Sequence, residues 1–67
     1  MSTSTYTVTG MTCQHCVASV TEAVSEIAGV TGVEVDLASG GLRVTSAEPV
    51  SDEAVAAAVT EAGYQLA

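Results

Sequence analysis

Two cysteines, Cys13 and Cys16, are the only thiols in this 67-residue chain, and just Gln14 and His15 separate them. A C-x-x-C spacing at the point where a loop enters a helix can bring two thiolates onto one side as a short chelate. Cys16, in the first helical turn, lies among backbone N–H groups without intrahelical partners, at the positive end of the helix dipole. That environment favours a thiolate. Cys13, still in the loop, is expected to be the more exposed and mobile of the two.

Four chemistries compete for such a pair. Small buried cysteines can pack like alanine, but the polar neighbours Thr12, Gln14 and His15 suit that reading poorly. A thiol-disulfide oxidoreductase is the usual reading of C-x-x-C in a reducing compartment. This chain is short for a thioredoxin-type fold, however, and it has no Trp and no Pro beside the motif. A closed zinc site wants four protein ligands, whereas the chain offers two Cys and one His. Soft, low-coordinate Cu(I) is selected by thiolates and can be held by two of them. A metal held so sparsely is open to attack by an incoming thiolate, a poor arrangement for storage and a good one for transfer. Spacing alone leaves mercury, zinc and cadmium open.

The surrounding pattern supplies the elements that would position the pair. Tyr6 and Val8 alternate with Thr5, Thr7 and Thr9, as on a half-buried strand. From Cys16 the period changes: Val17, Val20, Val24 and Ile27 form the apolar stripe of a helix ended by Gly29. Val33, Val35 and Leu37 alternate with Glu34 and Asp36. A turn at Ala38-Ser39-Gly40-Gly41 leads to Leu42 and Val44, which complete a hairpin. Pro49 marks a break. Ser51 then reads as an N-cap with Asp52 and Glu53 in the first turn of a second helix, whose buried stripe is Val55, Ala58, Val59 and Ala62. Gly63 stops it, and Tyr64 to Ala67 make a short last strand. The order β-α-β-β-α-β predicts an α+β, ferredoxin-like sandwich: a four-stranded antiparallel sheet with both helices on one face. Residues 1–67 are expected to form a single domain.

Composition excludes several functions. A domain this small buries only about 60% of its unfolded surface, which disfavours a deep catalytic cleft. Eight acidic residues stand against one Arg and no Lys, for a net charge of −7. Such a surface repels nucleic acid and anionic membranes and prefers basic partners. No segment approaches the ~20 apolar residues of a membrane span. Two closely spaced cysteines and the absence of a secretory pattern point to a reducing, cytoplasmic setting.

Gly10-Met11-Thr12-Cys13-Gln14-His15-Cys16 resembles the G-M-T-C-x-x-C loop of heavy-metal-associated domains. The likeness continues through Val17, Val20, Gly29-Val30, Val33-Glu34-Val35 and Glu61-Ala62-Gly63-Tyr64, and is strongest to small bacterial copper chaperones. It implies Cu(I) bound by Cys13 and Cys16. It also implies delivery to a copper-transporting P-type ATPase, at its metal-binding domain or the platform at its ion entrance, without membrane insertion. A copper-bridged homodimer or larger cluster is a further assembly that the resemblance allows. A regulatory domain of such an ATPase is the alternative within the same class. Met11 matches a motif Met that packs beneath the loop, and Thr12 adjoins the pair. Tyr64 matches a Tyr near the metal loop, where many eukaryotic relatives carry Lys, and its hydroxyl is a candidate donor that offsets the negative charge of two thiolates on Cu(I). His15 is a candidate for tuning the thiols or for an auxiliary ligand when two molecules share copper. Glu22, Glu26, Asp52, Glu53 and Glu61 are candidates for steering towards a basic acceptor.

Overall fold

The computed structural model describes residues 2–67. The elements are β1 (Ser2–Thr9), α1 (Gln14–Ser25), β2 (Val30–Asp36), β3 (Gly41–Ser46), α2 (Asp52–Glu61) and β4 (Gln65–Leu66). The strands form one antiparallel sheet in the order β2-β3-β1-β4, the arrangement expected of two interlocked β-α-β units.

Register explains why the hydrophobic residues share a face. Tyr6 lies opposite Leu42, Val35 opposite Leu42, Val33 opposite Val44 and Val8 opposite Leu66, so all point to the same side. There Val8, Leu42 and Val44 join Val20 and Val24 of α1 and Val55, Ala58 and Val59 of α2 in one buried cluster. Both helices therefore cover one face. The other face is polar: Thr3, Thr5, Thr7, Thr9, Glu34 and Arg43 are exposed, and Arg43 pairs with Glu34.

Several boundaries differ from expectation: β2 ends at Asp36 with Leu37 in the turn, β4 is only Gln65–Leu66, and three others differ by more. β1 begins at Ser2 rather than near Thr5, because Ser2-Thr3-Ser4 has weak hydrophobic alternation yet pairs residue by residue with Val44-Thr45-Ser46. α1 stops at Ser25 instead of running to Gly29. The N–H of Ile27 donates to Val24 O (3.1 Å), a tight three-residue link that ends the α-pattern while leaving Ile27 packed on the core. β2 begins at Val30, ahead of an irregularity between Val30 and Gly32 that interrupts the alternation. The second helix starts as expected: Ser51 Oγ accepts from the N–H of Ala54 (3.1 Å), with Asp52 and Glu53 in the first turn.

β4 is short. It pairs only with Val8 and Thr9, and the N–H of Ala67 adds one bond to Thr7 O (2.8 Å). β1 is eight residues long, so much of its length has β3 as its only neighbour strand among the described residues.

Candidate metal centre

The loop between β1 and α1 is shaped by Gly10 and closed by Cys13. Gly10 takes φ +94°, and a Cβ there would point at the Tyr64 ring (Cδ1 at 3.4 Å). The loop thus crosses directly over the residue that leads into β4. Met11 is half-buried and packs against the core, tying the loop down from beneath. Cys13 is the N-cap of α1: its extended backbone (φ −156°, ψ 171°) sets its carbonyl to accept from the N–H groups of Cys16 (3.0 Å) and Val17 (3.3 Å).

This geometry brings Cys13 Sγ to 3.6 Å from Cys16 Sγ. Cys13 is exposed and Cys16 half-buried. Thr12 Oγ1 lies 3.8 Å from Cys16 Sγ. His15 is exposed on the first turn of α1, and its carbonyl accepts from Ser19 Oγ. Among the described residues, no three His, Cys, Asp or Glu side chains converge as a ligand set. The arrangement is a two-thiol site open to solvent.

The sulfurs are not equivalent. A backbone hydrogen bond from Thr12, the Tyr64 hydroxyl, the Cys13 thiol and the Cys13 backbone together lower the Cys16 thiol to about 6, against a smaller opposing effect of desolvation. The cost is seen at Tyr64, whose own pKa is raised, first by its bond to Cys16 and then by burial and the charge of both sulfurs. No acidic residue occupies the first turn of α1, so nothing there competes for the positive helix end. Sequence reasoning assigned the thiolate's stabilisation to that helix end and to the Tyr64 hydroxyl, and did not single out the Thr12 backbone. The signal was the position of Thr12 itself, one residue before the N-cap of a helix that carries a thiol in its first turn.

The heavy-metal-associated domain model matches residues 5–65. The chain belongs to the heavy-metal-associated domain family. The domain is 44% identical over 59 residues to the COP-associated protein of Helicobacter felis, covering 88% of this chain and 89% of that one. It is 41% identical over 68 residues to the copper chaperone CopZ of Bacillus subtilis, covering 100% and 99% of the two chains. Among solved structures, it superposes with a TM-score of 0.92 on a copper binding domain from HMA7, a P-type ATPase, at 30% identity, covering 100% of this chain and 92% of the other.

A pH dependence follows for the metal-free domain. Alkylation of Cys16, followed by peptide mass spectrometry, should show a midpoint near pH 6, far below the ordinary thiol value of 9.0. Tyr64→Phe removes a hydrogen-bond donor to the thiolate, so the midpoint should move upward; an unmoved midpoint would remove Tyr64 from the site. Stability carries the matching sign. Between about 6 and 9.0 the folded domain holds Cys16 deprotonated while the unfolded chain still binds the proton. The metal-free fold therefore gains stability as pH rises through that window and loses it on acidification towards 6.

Proposed function

We propose that this heavy-metal-associated domain is a cytoplasmic Cu(I) metallochaperone that passes copper to a copper-transporting P-type ATPase. The observation that carries the reading is the solvent-open pair of sulfurs 3.6 Å apart. Two thiolates suit Cu(I), whereas tetrahedral zinc would need two further ligands that the described residues do not gather. The names of the relatives point the same way. The copper is cargo, and the function is binding and exchange rather than catalysis.

Transfer proceeds by ligand replacement without change of oxidation state. An acceptor thiolate adds to Cu(I) held by Cys13 and Cys16, one donor thiolate leaves, and repetition moves the metal across. Cys13 leaves first, because it is exposed at the N-cap while Cys16 is held within the first turn of α1 beside the Thr12 hydroxyl (3.8 Å). Met11 anchors the loop from below. Native mass spectrometry of a Cu(I) titration with zinc in competition tests the reading. Copper should load first; preferential retention of zinc would overturn the metal assignment. The likeness to an ATPase domain supports the alternative of a regulatory module, which binding alone would satisfy. Direct transfer of copper to an acceptor domain separates the two.

His15, exposed beside the pair, becomes a ligand only when a second molecule shares the copper. His15→Gln should leave single-copper loading of the monomer unchanged and weaken copper-dependent association; unchanged association ends that role.

The five candidate carboxylates divide into two groups. Glu22, Glu26 and Glu61 line one surface groove of about 350 Å³ between α1 and α2. Asp52 and Glu53 sit at the opposite end of α2 from Glu61, and Asp52 accepts a hydrogen bond from Tyr6 Oη (2.9 Å). The groove is the better steering surface. Copper transfer to a basic acceptor should slow on the order of tenfold between low and high salt, and Glu22→Gln with Glu61→Gln should flatten that dependence. A salt-independent rate would reduce the net charge to a solubility device.

A further inference from the structure

The sulfur pair that suits Cu(I) is the wrong shape for Cu(II), which takes tetragonal sets of nitrogen and oxygen ligands. Among the described residues no three His, Cys, Asp or Glu side chains converge. A Cu(II) ion reaching this surface therefore meets two thiols and no cage that would hold it. Thiols that are accessible and stand beside a second cysteine are the ones most readily oxidised.

The geometry lets that oxidation finish inside one domain. Cys13 is exposed, Cys16 is half-buried, and their sulfurs are 3.6 Å apart. A disulfide needs a separation of ~2.05 Å, so the sulfurs must approach by about 1.5 Å. Cys13 can supply the movement. It is the N-cap of α1, yet its side chain makes no capping hydrogen bond, so turning it towards Cys16 breaks no helix contact.

We propose that the pair reduces Cu(II) rather than binding it, two ions for each domain. A first Cu(II) takes one electron from one thiolate and becomes Cu(I), leaving a sulfur radical. The partner thiolate closes on that sulfur and forms the S–S bond, which then carries one surplus electron. A second Cu(II) takes that electron. Two Cu(II) become two Cu(I), two thiols become one disulfide, and the two thiol protons go to solvent. The thiols are consumed, so the step is stoichiometric and not catalytic. The reduction needs only Cys13 and Cys16, whereas the fate of its product rests on the Cu(I) cargo assignment. The oxidised domain has no thiolate left for either ion, and both pass to domains that are still reduced. One domain oxidised thus loads two others. Loading of every domain requires copper that a separate one-electron reduction has already converted to Cu(I).

Titration of the reduced, metal-free protein with Cu(II) in the absence of oxygen tests the proposal, read by native mass spectrometry and electron paramagnetic resonance. With protein in excess, the Cu(II) signal should vanish. Copper-free domains lighter by about 2 Da should appear beside copper-loaded domains in a ratio of one to two. Cys13→Ser and Cys16→Ser each leave a lone thiol that must find a second molecule. At micromolar protein their consumption of Cu(II) should slow by on the order of tenfold or more, with disulfide-linked dimers as the oxidised product. Lighter domains without loaded ones would support the reduction and count against the cargo assignment. A persistent Cu(II) signal with both thiols still titratable, or equally fast consumption by the single-cysteine variants, would overturn the proposal.

Discussion

Cys13→Ser and Cys16→Ser should each abolish high-affinity Cu(I) binding, measured anaerobically against a competing chelator. A hydroxyl is a hard, poorly ionised ligand that cannot replace a thiolate for a soft monovalent ion. Losing a group that merely supports a metal ligand costs about 10–100-fold in affinity, and loss of one of two direct ligands must exceed that. The two variants should differ in what remains. With Cys13 gone, Cys16 still has Thr12 and Tyr64 to hold its thiolate, although it loses the contribution of its partner thiol. With Cys16 gone, the surviving thiol is an exposed N-cap residue whose neighbour no longer anchors the metal to the helix. Cys16→Ser is therefore the more damaging change at limiting copper. Full affinity in either variant would contradict the two-sulfur site.

Gly40→Ala should be the most destabilising single-methyl change in the fold. Gly40 takes φ +75°, where an L side chain is strained, and its added Cβ would sit 2.6 Å from Val8 O. That obstacle is backbone. Gly40 O itself accepts from the N–H of Val8 (2.7 Å), so the turn and β1 cannot part without losing that bond. The combined cost is about 2–4 kcal/mol, comparable to the ~3–5 kcal/mol that a core of this size supplies. Gly29→Ala provides the control: φ is +89° but nothing lies within 4 Å of the new Cβ, leaving only the backbone strain of roughly 1–2 kcal/mol. Urea midpoints of the two variants separate the steric contribution from the conformational one. Equal midpoints would mean that the turn moves away from β1 without penalty.

The architecture was legible because hydrophobic period and turn residues agreed. The spacing of Val20, Val24, Val55 and Val59 specified two helical faces, and those residues are the buried centre of the fold. Ser51 followed by two acids marked a helix start correctly to the residue. Failures fell where local pattern is silent. Ser2-Thr3-Ser4 reads as a polar lead-in, and only pairing with β3 makes it strand. Ile27 keeps the helical apolar spacing, yet it lies beyond the last α-helical residue because a tight bond to Val24 reaches the core by another path. At the site, the helix start already set Cys16 apart from the more exposed Cys13, as the structure has them; the share of the Thr12 backbone in lowering the Cys16 thiol is what no local spacing encodes. The split of the acidic residues into a groove and a separate helix start likewise required the packing of α1 against α2.

With no Trp or Phe, the chain has only Tyr6 and Tyr64 as ultraviolet chromophores of any strength. One stands beside the Cys16 sulfur, and the other is hydrogen-bonded to Asp52 at the start of α2. The molecule therefore carries its own optical probe and its own internal reference. A metal–thiolate unit formed at Cys13 and Cys16 would quench the emission of Tyr64 while Tyr6 continued to report the state of the fold. Cargo loading and unfolding thus become separable by light in the unlabelled protein.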